Sequence, residues 1–142
     1  MDIVEKVLTV SARKFEPDLW GLHGYDDRHI KNTLIDSGLV FIVDSFYFTE
    51  YTNPNTALIE YCRKTKPQAI MLSINNWPPT HSGPPSVNTF SIIKKELNIP
   101  IIMFWFDIHT DFIVQAMITY SSISDLHIIF GSNKKSHIPI PF

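Results

Sequence analysis

Two hydrophobic rhythms alternate along this chain. Short, nearly continuous apolar runs fill residues 6–11 (K-V-L-T-V-S), 39–44 (L-V-F-I-V-D), 68–74 (Q-A-I-M-L-S-I) and 125–130 (D-L-H-I-I-F), and another leads the stretch 99–111 (I-P-I-I-M-F-W-F-D-I-H-T-D). Runs of that length, rich in β-branched and aromatic residues, predict five strands. Between them apolar residues recur at helical spacing: Ile30 and Leu34; Ala57, Leu58, Tyr61 and Cys62; Phe90, Ile93 and Leu97; Ile113, Ala116, Met117 and Tyr120. These predict four helices. The first should begin at Asp26 or Asp27 and stop at Gly38, the second should be capped by Asn53 with Pro54 in its first turn, and Asp111 should cap the fourth. Arg63, Lys64, Lys94 and Lys95 sit in last turns, where cations suit the helix dipole.

Strands alternating with helices imply βαβ units, hence a parallel sheet with right-handed crossovers. The expected architecture is α/β: a doubly wound five-stranded sheet in the order 2-1-3-4-5, a Rossmann-like or flavodoxin-like three-layer sandwich. Residues 39–44 are apolar at both alternations, as expected of a strand covered on both faces. In such sheets ligands sit outside the carboxyl ends of the strands, where the order reverses, here between the first and third strands. The two longest predicted loops, 12–25 and 75–86, would border that place, and loops of such length are usually functional or disordered. One domain over 1–131 is expected, with 132–142 a proline-punctuated tail leading toward a further, carboxyl-terminal domain.

Composition narrows the partners. With 12 Lys and Arg against 14 Asp and Glu the chain lacks the basic footprint of a nucleic-acid binder, so no nucleic acid is expected. Cys62 is the single cysteine, which excludes an internal disulfide and a cysteine-based zinc site and fits a cytoplasmic setting. Its place on the apolar face of a helix makes it a buried residue and not a reactive thiol. No signal peptide or transmembrane stretch is apparent in the sequence.

Candidate chemistry clusters after the first, third and fourth strands. Asp107 and His109 follow the fourth strand, and two readings stand side by side: a base with its orienting partner, or structural polar residues at a strand's end. Asp111 is better explained as a cap, and D-x-H-x-D is a weak metal pattern, so no metal and no cofactor are expected. The first loop reads W-G-L-H-G-Y: Trp20 and His23 offer flat surfaces, while Gly21 and Gly24 let backbone approach a ligand. Asn75, Asn76 and Trp77 open the proline-rich loop, as ligand rim or rigid lid. Neither G-x-G-x-x-G nor G-x-x-x-x-G-K-S/T occurs, which disfavours dinucleotide and P-loop phosphate cradles. His127 lies within a strand and reads as a satisfied core or edge histidine; Asp44 and Ser45 close the second strand without a role.

The first strand opening on W-G-L-H-G-Y, and the later K-K-E-L-N-I-P-I-I-M-F-W-F-D-I-H-T-D followed by S-D-L-H-I-I-F-G-S-N, resemble the amino-terminal half of GT-B-fold glycosyltransferases, of CgeB-like or group-1 type. The resemblance implies an acceptor-side domain that moves a sugar from a nucleotide-sugar donor to a hydroxyl acceptor once joined to a donor-binding half. Asp107 would be the base and His109 its neighbour, with Trp20, Gly21, His23, Gly24, Asn75, Asn76 and Trp77 binding substrate. Without that second half the chain should barely transfer sugar. Weak self-association through the tail is a further expectation. The alternative is a stand-alone flavodoxin-like or receiver-like binding module without catalysis. A phosphate-accepting receiver needs an acidic cluster after its first strand and an aspartate after its third, where this chain has Ser11 and Asn75.

Overall fold

The computed structural model describes residues 4–12, 31–74, 83–105 and 111–129. Its elements are β1 (Val4–Ser11), α1 (Asn32–Ser37), β2 (Val40–Tyr47), α2 (Pro54–Thr65), β3 (Ala69–Ser73), α3 (Val87–Leu97), β4 (Ile101–Trp105), α4 (Asp111–Tyr120) and β5 (Leu126–Ile129). All four strand pairings are parallel, and the order is β2-β1-β3-β4-β5. The fold class and strand order read from the hydrophobic rhythm are therefore those of the molecule.

Alternation along the strands sorts the side chains into two faces. On one, Leu8, Val10, Phe46, Ile70, Leu72, Met103 and Trp105 are sealed against Leu58 and Cys62 of α2, Phe90 and Ile93 of α3, and Met117 and Tyr120 of α4. This is the main core. On the other face Phe104 packs with Leu34 of α1 and with Met71, Ile102 and Ile128, a much smaller cluster.

Helix ends follow local chemistry. Asn53 Oδ1 accepts from Thr56 N (3.4 Å) and Ser86 Oγ from Thr89 N (3.3 Å), satisfying amides that the first turns of α2 and α3 leave free. Gly38, Lys66 and Asn98 close α1, α2 and α3 in the left-handed region, at φ of 70°, 49° and 55°. In that conformation the Lys66 and Asn98 amides donate back to Cys62 O (2.9 Å) and Lys94 O (3.0 Å). The stop expected at Gly38 is present. The start expected at Asp26 or Asp27 and the capping side chain of Asp111 lie outside the described residues, although α4 does open at Asp111.

One expectation needs correcting. The second strand does not end at Asp44 but runs on to Tyr47, because Phe46 turns into the main core and Ser45 bonds to β1. Nor is that strand covered on both faces: Phe41 is 78% exposed and Ile42 41%. Its apolar alternation marks an edge strand with open flanks, not a central one. Among the described residues no helix is long and apolar enough to cross a membrane.

Candidate functional site

The order β2-β1-β3 puts the reversal of winding between β1 and β3, whose carboxyl ends finish side by side. Val10 pairs with Leu72, so Ser11 and Ser73 come next on adjacent strands, with Tyr47 beside Ser11 and Phe104 beside Ser73. Both serines are buried, at 2% and 1% exposure. One step back, Thr9 Oγ1 donates to Ser45 Oγ (3.0 Å), within reach of Asp44 O (3.2 Å). Short hydroxyl side chains thus line this end of the sheet on the α1 face, where a covered parallel strand would ordinarily carry valine or isoleucine. They can donate and accept, but bring no charge.

Across the sheet the same edge is held rigid by side chains. Asn55 Oδ1 accepts from both Ser86 N (2.7 Å) and Thr89 Oγ1 (2.5 Å), tying the start of α2 to the start of α3. Tyr120 Oη donates to Pro85 O (2.6 Å), tying α4 to the same turn. Between α3 and α4 a groove of about 600 Å³, lined mainly by apolar surface from Ile74, Pro84, Val87, Ala116 and Tyr120, opens beside the end of β3.

Titratable groups nearby are tuned toward neutrality. Burial pushes the Tyr120 hydroxyl up to about 12, so it stays protonated and serves as a donor. Tyr61 is raised further, first by burial and then by its hydrogen bond to the Asp44 carboxylate; Asp44 Oδ1 also accepts from Ser45 N (2.9 Å). That pairing lies on β2, away from the reversal point. Burial pushes the Cys62 thiol up to about 12, as expected of a sealed, inert sulfur. His127 is buried in β5 with Nδ1 accepting from Trp105 Nε1 (2.8 Å), and burial lowers its pKa. Its burial and the bond at Nδ1 are as its strand position suggested. Among the described residues no group of three or more His, Cys, Asp or Glu side chains is placed to hold a metal ion.

The residues singled out from the sequence, Trp20, Gly21, His23, Gly24, Asn75, Asn76, Trp77, Asp107 and His109, all lie outside the described residues. What the structure fixes is their origin: their segments leave from the ends of β1, β3 and β4, three strands adjacent in that order. Sequence reasoning missed Ser11 and Ser73 as a pair, and Asn55 as the bond acceptor joining two helices. The serines had a signal, since V-S and L-S-I each break an otherwise apolar strand at the same relative place.

No family model matches the chain, and no curated protein does. Among solved structures it is similar to the RcsB response regulator of Salmonella typhimurium, in work on conformational dynamism for DNA interaction. The identity is 11% and the TM-score 0.53, over 91% of this chain and 53% of that one. It is also similar to the N-terminal domain of a response regulator receiver protein from Methanoculleus marisnigri JR1, at 14% identity and TM-score 0.48, over 90% and 86% of the two chains. This chain spans about half the length of the RcsB chain.

RcsB is a response regulator, not a glycosyltransferase, and that overturns the resemblance read from the sequence. The GT-B reading, the sugar acceptor and nucleotide-sugar donor, and the base role of Asp107 beside His109 in sugar transfer are withdrawn with it. The other partner expectations, the exclusion of nucleic acid drawn from the charge balance and self-association through the tail, are withdrawn too. The physical reason is plain: βαβ alternation with an "I-P, strand, polar triplet, helix" segment is common to many doubly wound sheets, and it specifies a topology, not an activity. The likeness to RcsB shows the fold alone.

Proposed function

We propose that this chain is a receiver-like binding module that does not transfer phosphate. The observation carrying this reading is the chemistry at the ends of β1 and β3. Phosphotransfer on such a fold needs carboxylates there, to hold a magnesium ion and to accept the phosphoryl group as an aspartyl ester. Here β1 ends in Ser11 and is followed by Ala12, and β3 ends in Ser73 and is followed by Ile74. Uncharged hydroxyls suit an uncharged or hydrogen-bonding ligand instead, docked at the reversal point with the aromatic loops as its rim. Trp20, Gly21, His23, Gly24, Asn75, Asn76 and Trp77 form that rim in this reading, with Asp107 and His109 as polar contacts. Supporting it, the strands that feed these loops are neighbours ending on one edge. The domain is taken as 1–131 with 132–142 as its tail, in the cytoplasm, where a single buried thiol is at home.

The test is incubation with acetyl phosphate and magnesium, followed by intact-mass measurement under conditions that preserve acyl phosphates. The unmodified mass should persist throughout. Gain of one phosphoryl group on an aspartate would overturn the reading.

A further inference from the structure

β2 is the outer strand of the sheet, and among the described residues no strand lies beyond it. Sheet edges of this kind are normally blunted by lysine, proline, a bulge or a covering segment. Here the strand reads V-F-I-V-D-S-F-Y, and its single charge, Asp44, is engaged by the Tyr61 hydroxyl. Around its amino-terminal half Val4, Ile35, Leu39, Phe41 and Ile42 are all exposed, with Phe41 at 78%. Phe41 projects from one face of the strand and Ile42 from the other, so the apolar surface wraps the edge.

We propose that this edge pairs with the same edge of a second copy, antiparallel about a two-fold axis, to continue the sheet from one protomer into the next. Backbone polarity supports that geometry. Val4 N donates to Leu39 O (3.0 Å), so the odd-numbered residues that follow direct their amide and carbonyl groups toward β1, while Val40 and Ile42 direct theirs outward. A two-fold axis through Phe41 sets Val40 opposite Ile42 of the second copy as a hydrogen-bonded pair. It also sets Phe41 opposite Phe41, and Leu39 opposite Val43, as the closer, non-hydrogen-bonded pairs. Every pair from Leu39 to Val43 in this register is apolar, and Asp44 falls outside them, opposite Gly38. A register centred on Ile42 would instead place Asp44 against Val40, so the axis through Phe41 is favoured.

A second copy fits better than an unrelated strand because the pattern is complementary to itself, as a two-fold interface requires. The five exposed side chains present roughly 400 Å² of apolar surface per copy, about half of the ~800 Å² per partner in a standard interface. The paired backbones add to it. This inference does not depend on what the carboxyl edge binds.

The experiment measures the mass of the full chain in solution by light scattering over a wide concentration range. The wild type, Phe41→Lys, Phe41→Glu and an equimolar mixture of the two variants are compared, with circular dichroism confirming that each is folded. The wild type should be dimeric. Each variant alone should be monomeric, with association weakened more than about tenfold by like charges meeting at the axis, and the mixture should recover the dimer. A wild type that stays monomeric at its highest soluble concentration overturns the proposal. So do variants that dimerise as well as the wild type, and a mixture that fails to reassociate.

Discussion

The two sides of this sheet are unequal. Against α2, α3 and α4 lies a layer of side chains with essentially no solvent contact, including Trp105, Phe46, Phe90, Leu58 and Met103. Toward β2, by contrast, large apolar groups stand in water, Phe41 above all. The same residue types therefore serve two ends: in the first region they hold the fold, and in the second they are free to hold something else. Phenylalanine is the sharpest case, because Phe90 and Phe41 differ in nothing but where the topology puts them.

The largest expected effect separates those two residues directly. Phe90→Ala should lower unfolding stability by ~3–5 kcal/mol, since it removes a fully buried ring that meets Tyr120 edge-on at 6.1 Å. Phe41→Ala, measured by urea denaturation under conditions that keep the protein monomeric, should stay within ~0.5 kcal/mol. Equal losses at the two positions would erase the contrast.

A middle-sized effect tests how tightly the buried layer is closed at its β5 end. The Trp105 indole donates to Nδ1 of His127, and a protonated imidazole has no acceptor to offer it. Because burial holds the folded-state pKa of His127 below its ordinary value, the unfolded chain binds the proton more readily. Stability contributed by neutral His127 should be complete above roughly pH 6.5 and decline as pH falls below it. A thermal-melting series from neutral to mildly acid pH should show this decline in the wild type and a weaker one in His127→Gln, which retains an acceptor for the indole. Parallel profiles would show that His127 does not carry the effect. Asp125 works in the same direction at more acid pH. Burial alone would raise its pKa, but the Lys94 ammonium and the Ile101 amide outweigh that and lower it, so its contribution fades only as pH falls through the acid carboxylate range.

The smallest effect belongs to the solvent side of α2 and α3. Arg63 and Glu96 pair at 2.7 Å with both side chains about half exposed. Glu96→Gln should change the denaturation midpoint by no more than a few tenths of a kcal/mol equivalent, and less in high salt. A loss comparable to Phe90→Ala would mean that the outer layer contributes more than its exposure suggests.

How much of this could be read from the residues alone differs sharply between fold and site. Apolar periodicity showed the strands and their parallel order, and two helix ends were legible beside it, because Asn53-Pro54 and Gly38 are local devices whose effect does not depend on the rest of the chain. The extent of β2 was misread at Asp44: a carboxylate after an apolar run looks like an exit to water, and only the partner hydroxyl of Tyr61, a helix away in sequence, lets it remain inside a strand. The apolar alternation of β2 was misread for a related reason. Periodicity reports which side chains avoid water, and it cannot tell burial within one molecule from burial between two. Function was least legible. The motif around Asp107 follows from ending a strand at a helix start, a construction shared by folds of unrelated activity, whereas Ser11 and Ser73 become informative only once β1 and β3 are known to be neighbours.

The sealing of Cys62 has a practical corollary. Its sulfur is fully enclosed between α2 and the sheet and held as a thiol, so a maleimide or disulfide reagent can reach it only when that layer parts. The rate at which the untouched protein takes up such a reagent is thus a built-in clock for its own opening. For the same reason a fluorophore attached to a cysteine engineered on the surface would report from that one position, with no competing signal from the native sulfur.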